Sequence, residues 1–127
     1  KPLLIGVTVL TSLAAAELSA VGLEPDINAN VLRLARLSWD CGLDGVVCSA
    51  QEASMLKREL PINLAFSLVT PGIRLAGDAK GDQTRIVTPV DAIKAGADYL
   101  VIGRSITHAT DPVAVLHNIN KQLKENT

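Results

Sequence analysis

Four residues in this chain have the types and spacing to hold a small anion. Arg74 closes the run Thr70-Pro71-Gly72-Ile73-Arg74, Gln83 sits within Gly81-Asp82-Gln83-Thr84-Arg85, and Gly103-Arg104 ends the apolar run that starts at Tyr99. A guanidinium gives a phosphate or carboxylate two parallel, charge-assisted hydrogen bonds. Pro71-Gly72, a rigid residue followed by a permissive one, fixes where Arg74 leaves its strand. Gly103 lets an anion approach the backbone, and amides opening a short helix after it would point at that anion. Gln83 both donates and accepts, so it could bridge a phosphate and a polar ring. Each residue also has an ordinary reading: a surface arginine after a glycine turn, a solvated loop arginine, an exposed loop glutamine.

Other polar residues suggest less chemistry. Thr11 and Ser12 follow the first apolar run and could bond a ligand, although capping the next helix is the better local reading. Asp44, Asp98 and Asp111 read as turn or cap residues. His108 and His117 are isolated, and no Ser/His/Asp or Cys/His set assembles. Trp39 and Met55 read as helix packing. Cys41 and Cys48 lack metal-ligand spacing; they are expected as a buried helix-end thiol and a strand thiol, both reduced in a cytoplasmic protein.

Composition narrows the partners. Lys and Arg number 12 against 13 Asp and Glu, for a net charge of −1. No like-charged block occurs, so nucleic acid and acidic membrane surfaces are not expected partners. From Thr70 to His108, five basic side chains face four acidic ones, which suits a focused anion site over a basic face. The longest apolar run is short of a membrane span, and no signal-peptide pattern appears. A hydrophobic fraction of 48% fills a core, and 2% aromatic leaves that core aliphatic.

The elements needed to position these residues alternate along the chain. Leu3 to Leu10 is a nearly continuous aliphatic run, expected for a parallel strand covered on both faces. Ala14 to Leu18 predicts a short helix. Asn28 or Asn30 is the expected cap of a helix running to about Asp40, with Val31, Leu34, Ala35 and Ser38 on its inner face and Gly42 just past its end. Asp44 to Ser49 is a second strand. Ser49-Ala50-Gln51-Glu52 is a capping box, predicting a helix from Ala50 to Glu59 that Pro61 stops. A third strand falls within Leu64 to Val69, and a long polar loop spans Arg74 to Ile86. Thr88-Pro89-Val90-Asp91 starts a helix that Gly96 ends. Asp98 to Ile102 is the fourth strand, and Asp111-Pro112 opens the final helix.

Four βα units in 127 residues fit one domain or part of a larger one. Two α/β architectures remain open on pattern alone: a small doubly wound sheet, or half of a (β/α)8 barrel, for which about 125 residues suffice. In such barrels a phosphate site often lies beyond the last two strands.

Five blocks carry a resemblance: Leu4-Ile5-Gly6-Val7-Thr8-Val9-Leu10-Thr11-Ser12, Cys41-Gly42-Leu43-Asp44-Gly45-Val46-Val47-Cys48-Ser49, Thr70-Pro71-Gly72-Ile73-Arg74, Gly81-Asp82-Gln83-Thr84-Arg85-Ile86 and Val101-Ile102-Gly103-Arg104-Ser105-Ile106-Thr107. In order and spacing, along essentially the whole chain, they resemble the carboxyl-terminal half of bacterial orotidine 5′-phosphate decarboxylase. The resemblance implies the second half, (βα)4, of a TIM (β/α)8 barrel. It implies conversion of orotidine 5′-monophosphate to uridine 5′-monophosphate and CO2, with no metal and no organic cofactor. It further implies that Arg74, Gly103 and Arg104 grip the phosphate, that Gln83 closes over phosphate and pyrimidine, and that Thr11 reaches the pyrimidine. A homodimer is implied as well.

The family's catalytic Asp-x-Lys-x-x-Asp block is missing from this sequence. Asp78-Ala79-Lys80-Gly81-Asp82 has the wrong spacing and lies in the phosphate loop. The expectation is therefore that residues 1–127 hold strands five to eight and the substrate contacts, with no catalytic residue, the catalytic Lys/Asp set belonging to an amino-terminal half outside this sequence. Two alternatives stand beside it: another phosphate-binding barrel lyase, and a non-catalytic α/β phosphate-binding module.

Overall fold

The computed structural model describes residues 1–61, 65–77 and 87–127. Its elements run β1 (Ile5–Val7), α1 (Ala15–Ala20), α2 (Ile27–Asp40), β2 (Gly45–Val47), α3 (Ala50–Glu59), β3 (Ser67–Thr70), α4 (Pro89–Ala95), β4 (Tyr99–Leu100), α5 (Arg104–Thr107) and α6 (Pro112–Glu125). The four strands form one sheet in the order β1-β2-β3-β4, every neighbouring pair parallel. A doubly wound sheet reverses its strand order at a switch point. This order never reverses, so the architecture is the barrel type.

Local chemistry sets the helix ends. Ser49 accepts from the Glu52 amide at 3.2 Å while the Glu52 carboxylate accepts from the Ser49 amide at 2.8 Å, the reciprocal box expected from the sequence. The Thr88 hydroxyl accepts from the Asp91 amide at 3.3 Å, Pro89 occupies the first turn, and Gly96 ends α4 at φ 113°. Asp111 caps α6 through the Ala114 amide at 3.0 Å.

Several expectations are corrected. The cap of α2 is Asp26, which accepts from the Ala29 amide at 3.1 Å. Asn28 is exposed, and Asn30 is turned inward to donate to the carbonyls of Glu24 and Asp26 at 2.6 and 2.9 Å. Thr11 and Ser12 do not cap α1, whose N-cap is Ala14; the Glu17 carboxylate accepts from the Ala14 amide at 2.6 Å. Cys41 is exposed, because α2 ends there and Gly42 turns the chain at φ 79°. The third strand lies at Ser67–Thr70, later than expected, and residues 62–64 are outside the described set.

Two aspartates fasten the strands in register. Asp44 exchanges two bonds with Leu4: its amide donates to the Leu4 carbonyl at 2.9 Å, and its Oδ2 accepts from the Leu4 amide at 2.7 Å. Asp98 repeats the arrangement on Leu68 at 2.9 and 2.8 Å, while Lys57 Nζ lies 3.2 Å from the same carboxylate oxygen. Asp44 and Asp98 thus act in strand pairing, a role that their reading as turn or cap residues does not include. Gly45 is required by a close approach: a Cβ there would sit 2.1 Å from the Ser67 carbonyl oxygen.

The core lies between sheet and helices. Val46, Cys48 and Leu68 meet Val31 and Ala35 of α2 and Ala53 and Leu56 of α3, and Trp39 packs edge-on against Phe66 with centroids 5.3 Å apart. A smaller cluster joins Ala50, Ile73, Ala92 and Ala97. The other sheet face is open. Val7, Val47, Val69 and Tyr99 align in register across the four strands, and Val7 and Tyr99 remain 61% and 55% exposed. The first apolar run, expected to be covered on both faces, is instead an edge strand with Leu3, Leu4 and Leu10 also exposed.

Leu56 is wholly buried between α3 and the sheet. Leu56→Ala should lower unfolding free energy by about 2–5 kcal/mol through lost burial and the cavity left behind. Urea denaturation followed by circular dichroism measures the change.

Candidate functional site

All four strands are parallel, so their carboxyl ends lie along one rim of the sheet. Four of the five expected ligand residues fall in described segments beyond these ends. Arg74 is four residues past Thr70, the last residue of β3, while Gly103 and Arg104 are three and four past Leu100, the last residue of β4. Thr70 and Leu100 are register partners. Neighbouring strands run about 4.8 Å apart, so the two segments leave the sheet side by side.

The backbone around Arg74 is tied down. Its amide donates to the Val87 carbonyl at 3.0 Å, and Ile73 forms a parallel bridge with Val87. The side chain is half-buried, and Nε is buried with no hydrogen-bond partner among the described residues. A buried guanidinium nitrogen without an acceptor leaves donor capacity for an anion. Gly103 is the N-cap of α5, and its carbonyl accepts from the Ile106 and Thr107 amides at 2.9 and 3.1 Å. A Cβ at Gly103 would meet nothing within 4 Å, so the space beside this backbone is open. Arg104, the first residue of α5, is exposed.

Thr11 is exposed in a turn four residues past Val7, the end of β1. It shares the rim with the arginines but stands on the far edge strand, three strand spacings or about 14 Å along the sheet from β4. Gln83 lies outside the described residues, as does the loop from 78 to 86. The structure therefore sets Arg74 and Gly103-Arg104 beyond the ends of neighbouring strands and Thr11 beyond the far edge strand.

Thr70, which the sequence places just past the third strand, is the last residue of β3, and its side chain is fully buried at this rim. Its hydroxyl has the Cys48 thiol for company and no satisfying hydrogen bond among the described residues. Nothing in the sequence around Thr70 marks an orphan hydroxyl. Burial, reinforced by the charge of Glu52, pushes the Cys48 thiol up to about 12. Cys48 is accordingly a packed thiol and not a nucleophile at neutral pH. Among the described residues no group of His, Cys, Asp and Glu could hold a metal ion, and no helix is long and apolar enough to cross a membrane.

The sequential parallel sheet, with an open inner face, gives the chain the topology of half of a (β/α)8 barrel. Residues 1–119 match the model of the "Orotidine 5'-phosphate decarboxylase / HUMPS family". The chain is 62% identical over 123 residues to an orotidine 5′-phosphate decarboxylase of Vibrio parahaemolyticus, covering 97% of this chain and 52% of that protein. With the enzyme of that name from Vibrio campbellii it shares 61% over the same span and with the same coverage. The crystal structure of orotidine 5′-phosphate decarboxylase from Lactobacillus acidophilus superposes with a TM-score of 0.80 at 36% identity, covering 96% of this chain and 49% of that one. The chain belongs to the orotidine 5′-phosphate decarboxylase / HUMPS family. It spans about half the length of the curated relatives it matches.

Glu52, beside the buried Cys48, makes a pH prediction possible. Burial raises its pKa above the ordinary 4.5, against the lowering effect of its bonds to Ser49. A carboxyl whose pKa is higher folded than unfolded binds more protons in the native state, so stability falls as pH rises through that window. Relative to wild type, Glu52→Gln should remove this loss, giving a flatter stability curve from about pH 4 upward. Denaturation midpoints of both proteins across pH 4–8 test the sign.

Proposed function

We propose that this chain is the carboxyl-terminal, substrate-gripping half of an orotidine 5′-phosphate decarboxylase. The complete enzyme converts orotidine 5′-monophosphate to uridine 5′-monophosphate and CO2 in pyrimidine biosynthesis. The observation that carries the reading is the 62% identity to a protein of that name along 97% of this chain. The placement of two arginines beyond adjacent parallel strands supports it.

In this reading the Arg74 and Arg104 guanidiniums and the Gly103 backbone hold the 5′-phosphate. Gln83 spans phosphate and pyrimidine, and Thr11, on the opposite edge strand, reaches the base. A nucleotide monophosphate is long enough for its two ends to engage different strands, so the separation of Thr11 from the arginines fits one ligand lying across the mouth. The catalytic Lys/Asp set belongs to the companion half. Cleavage of the carbon–carboxylate bond leaves its electron pair on the ring carbon; the ammonium stabilises that charge and then supplies the proton. Phosphate binding at Arg74 and Arg104 contributes by holding the reacting end in place. The working enzyme is a cytoplasmic homodimer.

Arg74→Ala and Arg104→Ala in the complete enzyme should each lower kcat/KM by roughly tenfold to a hundredfold, the value of a charge-assisted contact of about 1.5–3 kcal/mol. Turnover of orotidine lacking the phosphate should be indifferent to both changes. Near-normal kinetics with the full substrate would remove these arginines from the phosphate site.

A further inference from the structure

Each segment suited to an anion is directly preceded by an isoleucine: Ile73 stands before Arg74, and Ile102 before Gly103-Arg104. Both isoleucines belong to the smaller apolar cluster, Ile73 as a buried member at 3% exposure and Ile102 packed against it. Val87, whose carbonyl accepts from the Arg74 amide at 3.0 Å, packs there as well. The floor beneath them is alanine. Ala50 opens α3, Ala92 lies within α4, and Ala97 follows the Gly96 cap. Three small side chains from separate places leave a hollow that the branched ones fill, as close packing requires.

The segment after β3 is held at two points. Thr70, wholly buried, ends the strand, and its carbonyl accepts from the Val101 amide at 2.9 Å. Pro71 and Gly72, the latter at φ 75°, then turn the chain, and Ile73 anchors it again just before Arg74. After β4 the side chains alternate: Leu100 and Ile102 pack on the cluster, while Tyr99 and Val101 are more than half exposed. The period of two of an extended chain thus runs on to the residue before Gly103. One packed unit therefore underlies both segments, and its described members all come from residues 50–102.

We infer that Ile73 is a positioning residue for the phosphate site: through the cluster it shares with Val87 and Ile102, it sets Arg74 relative to Gly103-Arg104. The inference rests on the reading of Arg74 and Arg104 as phosphate ligands. Ile73 is buried and acts through its neighbours, not on the substrate. Packed interiors transmit a displacement instead of absorbing it. Trimming Ile73 leaves a cavity that its neighbours close only in part, so the Arg74 backbone and Val87 settle in a new place relative to Gly103. A misplacement of about 1 Å at a binding contact lowers rate by on the order of a hundredfold. A partly collapsed hollow shifts the chain by less and should give a smaller loss.

Kinetics of the complete enzyme with orotidine 5′-monophosphate and with orotidine, which lacks the phosphate, test it. Ile73→Ala should lower the ratio of the two kcat/KM values about tenfold, and Ile73→Val about twofold. Loss of folded protein lowers both values alike and leaves the ratio in place, as Leu56→Ala in the larger cluster should show. Ile73→Ala combined with Arg104→Ala should lower the ratio by less than the product of the single effects, because groups acting through one packed unit couple. Should Ile73→Ala fail to fold, Ile73→Val and its pairing with Arg104→Ala decide by the same criteria. An unchanged ratio in the Ile73 variants, with Arg74→Ala lowering it, would overturn this inference alone. So would a double variant showing the full product. An unchanged ratio in Arg74→Ala would overturn the phosphate reading and this inference with it.

Discussion

The two-point bonds of Asp44 to Leu4 and Asp98 to Leu68 set the geometry on which the rest depends. Each joins the residue entering one strand to the backbone of its neighbour and fixes the register of a parallel pair. A slip of one residue would turn Val46, Cys48 and Leu68 out of the core and bring Val47 and Val69 in. It would also shift one strand end against the next. The segments that carry Arg74 and Gly103-Arg104 start from adjacent points because of this register, in which Thr70 and Leu100 are partners.

From that constraint the division of labour follows. Parallel strands need long crossovers, and those crossovers are the helices that cover one face of the sheet. The carboxyl ends are left with polar segments suited to ligands, as in other barrels of this type. The amino ends carry the aspartate locks. One rim is spent on stability and the other is available for binding, so substitutions at the two rims should have separable effects.

Much of this was legible in the sequence, for local reasons. The Ser49–Glu52 box, the Thr88-Pro89 start and the Gly42 and Gly96 stops are encoded within four residues, and each appears as expected. The α2 cap was misplaced because Asp26, Asn28 and Asn30 are all competent caps; burial of Asn30 against the Glu24 and Asp26 carbonyls decides among them, and burial is not local. The Leu3 to Leu10 run looked like a strand covered on both faces because composition records what a strand is built to meet, whether or not the partner is present. For the same reason the Thr70 hydroxyl and the unpartnered Arg74 Nε could not be foreseen: both depend on which neighbours arrive from other elements. Choosing between barrel and doubly wound sheet required the strand order itself.

The central claim is that the rim beyond β3 and β4 holds a phosphate. Titration of the isotopically labelled chain with uridine 5′-monophosphate, inorganic phosphate and uridine, followed by amide chemical shifts, tests it most directly. The account predicts that both phosphate-bearing ligands move the Arg74, Gly103 and Arg104 resonances together and that uridine alone leaves them in place. Shifts centred on the opposite rim, around Leu4 and Asp44, with Gly103 and Arg104 unmoved, would contradict it.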